Sequence, residues 1–138
     1  MLNSLLVPSV PHPRDDISGY SIKEALDQAQ AKDALGDNIK FYFGDQAHGS
    51  VIKKFGTFKT NKKTNAFNKS DQGVCQWTFL AALISLRDRA VQEGGNAVIN
   101  IKSNYRNVLT SSNDSFQCGA GTFVAGVALV GTDVKLNQ

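Results

Sequence analysis

The sequence predicts an α+β fold: a sheet of about four mostly antiparallel strands packed on one long central helix over about residues 75–93, with a smaller N-terminal helix over about 22–35. Three observations lead there. The segment "CQWTFLAALISLRDRAVQEGG" repeats apolar residues at helical spacing across a wide arc. "IKFYFG", "VIKKFGTFKT" and "NAVINIKSNY" are rich in β-branched and aromatic residues and are bounded by turn formers. The last run, "FQCGAGTFVAGVALVGTDVKL", is apolar on both alternating faces, as in a strand buried on both sides. A chain of 138 residues, 41% hydrophobic and 20% charged, has room for one domain with its own core, placed at 17–138 after a loose Pro-rich lead-in at 1–16.

Each element has a local reason. In "SIKEALDQAQAKDALG", Ser21 with Glu24 three residues on forms a capping box, Ile22, Leu26 and Ala29 share a face, and Gly36 ends the helix. The strands at 39–44 and 51–60 are separated by "DQAHGS". In the second, Ile52 and Phe58 point one way and Val51 and Phe55 the other, and "TNKKTNAFNKSDQG" follows as a polar connection. On the long helix, Cys75, Phe79, Ala82, Leu83, Leu86 and Ala90 form one apolar arc, and Trp77, Leu80, Ile84 and Val91 a second, divided by Gln76 and Arg87. Ser70 or Asp71 caps its start and Gly94 with Gly95 its end. In the next strand Ala97, Ile99 and Ile101 alternate against Val98, Asn100 and Lys102.

Net charge is +3, but unevenly distributed. Residues 1–46 hold four basic and seven acidic residues, whereas 47–70 hold six lysines (Lys53, Lys54, Lys59, Lys62, Lys63 and Lys69) and no acid. Such a run can attract phosphate backbones or anionic lipid headgroups. It also suits an edge strand, where lysines discourage strand-to-strand aggregation. With no arginine in the run for forked phosphate contacts, nucleic acid is not the expected partner. No stretch reaches the roughly 18 apolar residues of a membrane span, which predicts a soluble chain. "LLVPSV" near the start lacks a charged n-region and makes at most an incomplete export signal.

Cys75 opens the long helix and Cys118 heads the last apolar run. A bond between them would close a loop of about 43 residues and add roughly 3–4 kcal/mol. Two free buried thiols are the alternative, and position favours the disulfide only slightly.

The stretches "EGGNAVINIKSNY" and "CGAGTFVAGVALVGTDVKL" resemble the helix, G-(A/G)-N-A-V strand and terminal G-T-x-V strand of YbjQ-like proteins and RcsF-like outer-membrane stress sensors. Over about residues 14–136, "RDD", "IKFYFG", "KTNKKTNAFNKSD", C-x-W-x-F-L-x-A-L-x-S-L and "GGNAVINIKS" resemble small exported bacterial proteins that often carry an excinuclease or excinuclease-ATPase label. The resemblance implies a periplasmic or secreted protein and supplies no activity to transfer. The ATPase label fails on chemistry: after Gly121 and Gly126, Val127 and Ala128 stand where a phosphate-binding loop needs lysine and serine or threonine. "GAGTFVAG" also misses G-x-G-x-x-G, and no helix follows it.

YbjQ-like relatives suggest metal, yet the histidines are His12 in the lead-in and His48 in a turn, so Asp45 and His48 are only weak metal candidates. No serine or carboxylate is placed beside His48 for nucleophilic catalysis, Asp114 and Asp133 read as turn formers, and Arg87 as a snorkelling or ion-paired side chain. Two readings follow, neither with a cofactor. The first is a noncatalytic exported module that acts through an unknown protein partner, sensing or self-association, with Trp77, Leu80 and Ile84 as its surface. The second is a small-ligand or metal-binding protein, or an enzyme, with a pocket near Tyr42, His48 and the Lys53–Lys69 segment, where Lys53, Lys54, Lys59, Lys62 and Lys63 bind an anion.

Overall fold

The computed structural model describes residues 14–137; residues 1–13, with His12 and most of the expected lead-in, lie outside the described residues. The chain runs β1 (Asp16–Ser21), α1 (Ile22–Leu26), α2 (Ala29–Leu35), β2 (Lys40–Phe43), β3 (Val51–Asn65), α3 (Asp71–Glu93), β4 (Ala97–Ser103), a 3₁₀ turn (Tyr105–Asn107), β5 (Ser115–Ala120) and β6 (Val124–Leu136). The fold is mixed α and β, and the described residues form six strands in one sheet rather than about four.

Strand β6 organises the sheet. One edge pairs antiparallel with β3 from Asn65 opposite Val124 to Val51 opposite Leu136. Its other edge is shared: β5 pairs at the start, with Gly119 opposite Gly126, and β4 further along, with Ala97 opposite Val134. β1 adds antiparallel outside β5, and β2 adds parallel outside β4. The additional strands have physical causes. The last apolar run folds back on itself at 121–123, which separates β5 from β6. β3 continues five residues past the expected end at 60, because pairing with β6 satisfies its backbone while Asn61, Lys62 and Lys63 keep their side chains in water. Asp16, expected in the lead-in, already begins β1.

The expected single helix over 22–35 is two helices. Ser21 caps α1, its Oγ accepting from the Glu24 N–H at 3.1 Å. Gln28 then takes an extended backbone, with its side-chain amide bonded to Gln76 on α3, and α2 restarts to end at Gly36, φ 64°. The break lets α1 bury Ile22 and Ala25 while α2 buries Ala31 and Leu35 in the same core.

Helix α3 starts where Ser70 Oγ accepts from the Gly73 N–H and ends at Gly94 in the left-handed region. Its arc through Cys75, Phe79, Ala82, Leu83, Leu86 and Ala90 is fully buried, and the helix packs on β6 and β3. The second arc is divided. Helices α1 and α2 pack on α3, leaving Leu80 only 5% exposed and Ile84 half-buried, whereas Trp77 and Val91 stay 50% and 56% exposed. Arg87 explains part of that packing: its guanidinium donates to the Ala34 and Leu35 carbonyls at the end of α2 and pairs with Asp88.

Cys75 and Cys118 form a disulfide, Cα–Cα 5.9 Å, with both residues fully buried. It joins α3 to β5 beside an aromatic stack in which Phe79 and Phe116 lie 4.0 Å apart, flanked by Phe43 and Tyr20.

The paired glycines of β5 and β6 seat Tyr105. A Cβ on Gly119 would fall 2.1 Å from the Tyr105 hydroxyl, and one on Gly126 would fall 3.1 Å from its ring. The hydroxyl donates to Asp15 at 3.0 Å, and Arg106 pairs with the same carboxylate. Burial, then that bond, holds the Tyr105 hydroxyl above its ordinary pKa. Gly119→Ala must therefore displace the ring and break the bond to Asp15. We expect a loss of about 1–3 kcal/mol in urea melts, with a smaller loss for Gly126→Ala, whose clash is milder.

Asp133, expected near a turn, lies inside β6 and is fully buried, with neither carboxylate oxygen hydrogen-bonded among the described residues. Its charged neighbours are Arg89 and Glu93 on the last turns of α3. Arg89 pairs with Glu93 and lies 3.8 Å over the Phe58 ring of β3.

Candidate functional site

The face of the sheet turned away from α3 carries the candidate site. A side chain on Gly131 would run into Leu86 of α3 and into Val98 and Ile101, so this residue faces the core. Its neighbours Val130 and Thr132 point the other way. Thr57 and Lys59 on β3, opposite Thr132 and Val130, share that outer face, as does Lys102 of β4, opposite Val130. The hydroxyls of Thr57 and Thr132 lie 2.9 Å apart.

A bulge shapes the β4 side. Asn100 adopts φ 56°, and the register with β6 shifts between Ile99 and Lys102. The expected alternation is therefore broken: Val98 and Ile101 both enter the main core, whereas Ile99 packs with Ala97, Val134 and Leu136 in a second cluster. Asparagine tolerates this backbone because its short polar side chain lowers the cost of the left-handed region. Asn104 and Asn107, the latter at φ 63°, border the site beyond the end of β4.

The result is an open concavity of about 420 Å³ with Lys54, Lys59 and Lys102 on its wall and the two threonine hydroxyls and three asparagine amides beside them. Among the described residues no carboxylate, histidine or cysteine lines it. Lysine ammonium groups are compact point charges that do not demand one ligand geometry, and amides and hydroxyls both donate and accept. The arrangement can hold an anionic group that also carries hydroxyls.

The sequence-derived candidates divide among separate places. Lys54 and Lys59 line the concavity. Lys53 does not; its ammonium sits 5.2 Å from the Phe55 ring. Lys62 and Lys63 are exposed near the far end of β3. Tyr42 packs with the Ile99 cluster and borders another, larger groove of about 820 Å³ between α2 and β2, where Lys32 and Lys40 are balanced by Asp33 and Asp37. Of the expected pocket, Tyr42 and His48 do meet, ring edge-on at 5.6 Å, with the His48 Nδ1 2.8 Å from the Gly49 carbonyl, but Lys54 and Lys59 line the separate concavity. Asp45 is engaged by Asn113, whose amide donates to it at 2.6 Å. Among the described residues no three His, Cys, Asp or Glu side chains are grouped to hold a metal, and no helix is long and apolar enough to cross a membrane.

Sequence reasoning missed Lys102, the three asparagines, Thr57 and Thr132. Their common signal is faint: a polar pair, Asn100 and Lys102, within an otherwise apolar strand. The chain matches no protein-family model, no curated protein and no solved structure.

Proposed function

We propose that this chain is a noncatalytic, exported binding module of the bacterial envelope whose ligand is an acidic or phosphorylated sugar held in the outer-face concavity. The observation that carries the reading is the convergence of Lys54, Lys59 and Lys102 with amide and hydroxyl groups in a lining free of acid. The resemblance to exported bacterial proteins and the disulfide support the compartment, since such bonds persist in oxidising surroundings. Burial of Leu80 reduces the surface offered by the second arc of α3 and favours the reading on the sheet.

Calorimetric titration with glucuronate and glucose 6-phosphate, with uncharged glucose as control, tests this. The expected result is saturable binding of an acidic sugar and not of glucose. A Lys59→Ala, Lys102→Ala double variant should bind at least about tenfold more weakly, or about 1.4 kcal/mol, with an unchanged melting temperature. Equal response to glucose, or an indifferent double variant, would contradict the reading.

A further inference from the structure

Two turns meet at one end of the β3–β6 pair, and they build something the concavity does not use. Asn65 stands opposite Val124, and the Ala66 N–H donates to the Phe123 carbonyl at 2.8 Å. Phe67 from one turn and Phe123 from the other then stack, with ring centroids 5.6 Å apart and planes 10° apart. The stack is left in water: Phe67 is 52% and Phe123 64% exposed, and Val124 beside them is exposed as well. Single exposed apolar residues are ordinary, but an exposed aromatic pair held in place by two turns is a constructed surface.

Cations surround it. Lys62 and Lys63 fall on opposite faces of the end of β3 and are both exposed. Lys69 is positioned by the turn itself, its ammonium donating to the Asn65 carbonyl at 2.9 Å. The acids described on this side have partners of their own: Asp15 is bonded to Tyr105 and Arg106, and Asp16 and Asp71 to Arg14, which also reaches the Gly121 carbonyl on the β5–β6 turn. Among the described residues no acid is paired with Lys62, Lys63 or Lys69, which leaves them to face an external anion.

We propose that this tip docks on an anionic lipid bilayer, with Phe67 and Phe123 entering the boundary between headgroups and acyl chains and Lys62, Lys63 and Lys69 facing lipid phosphates. An aromatic wedge with a lysine collar matches both layers of such a surface, the apolar interior edge and the charged headgroups. The contact is separate from the sugar site: along β3, Lys62 and Lys63 lie about 10–13 Å beyond Lys59, and Asn65 at the tip about 20 Å beyond it.

Co-sedimentation of the whole chain with vesicles of phosphatidylcholine containing about one third phosphatidylglycerol tests it against phosphatidylcholine alone. The expected result is at least about tenfold stronger binding to the anionic vesicles, lost at about 0.5 M salt, and at least about tenfold weaker for Phe67→Ser with Phe123→Ser. Phe123→Trp in a Trp77→Phe background gives a second readout independent of that variant's folding: its emission should shift to the blue on anionic vesicles. Equal binding to both vesicles, no emission shift, or self-association through the phenylalanine pair without lipid binding would overturn the proposal.

Discussion

Replacing both Cys75 and Cys118 by alanine is expected to cost about 4 kcal/mol of stability. The bond spans 43 residues of sequence and ties the first turns of α3 to β5, so its loss frees a long loop in the unfolded chain. That loss is large against the roughly 5–15 kcal/mol by which a domain of this size is stable. The same bond sits beside the Phe79–Phe116 stack, so its removal also loosens the contact between helix and sheet. Urea melts of the oxidised protein, the reduced protein and the double variant check this: the last two should coincide and fall well below the first. If the oxidised protein and the double variant melt together, the bond is not a structural staple.

Asp133→Asn is expected to stabilise the protein at neutral and alkaline pH and to change little below about pH 4. Burial is the main cause that pushes the Asp133 carboxyl from its ordinary 3.8 up to about 6; Arg89 opposes the shift and Glu93 adds to it. The folded state therefore keeps this proton at a pH where the unfolded chain has lost it. Stability from this group is complete below the unfolded value and declines as pH rises toward about 6, and above that a buried charge remains without a hydrogen bond. The difference between about 6 and 3.8 corresponds to about 3 kcal/mol. Melts of both proteins from pH 4 to pH 8 should diverge with rising pH, the variant becoming the more stable by about 2–3 kcal/mol. A gap independent of pH would show that Asp133 carries no excess proton in the folded state.

Features controlled by local chemistry could be read from the residues. Ser21 and Gly36 bound the N-terminal helical region, and the turn-forming "DQAHGS" separates β2 from β3. Glycine in a strand lets a neighbour approach closely, and at Gly119 and Gly126 of "QCGAGTFVAG" that neighbour is Tyr105. Features decided by distant partners could not. The break at Gln28 answers to Gln76 on another helix, and the length of β3 answers to the length of β6. The buried position of Asp133 depends on α3, and its sequence neighbours, Gly131, Thr132 and Lys135, look like those of a turn.

The candidate site was half legible for the same reason. Lys54 and Lys59 belong to an acid-free lysine run that any charge count finds. Lys102 comes to them across β6, and Asn100 is itself a left-handed residue within a strand, a bulge that strict alternation does not foresee. The run itself was too long a unit. It serves three places: Lys54 and Lys59 in the concavity, Lys53 over Phe55, and Lys62, Lys63 and Lys69 around the phenylalanine tip.

If the outer face of the sheet, and no other surface, receives an acidic sugar, amide chemical shifts during titration with glucuronate or glucose 6-phosphate should move only there. Saturable shifts are expected at Lys54, Thr57, Lys59, Asn100, Lys102 and Thr132, with Tyr42, His48 and Trp77 unmoved. Shifts centred on the groove between α2 and β2, or none that saturate with either ligand, would contradict the outer-face site.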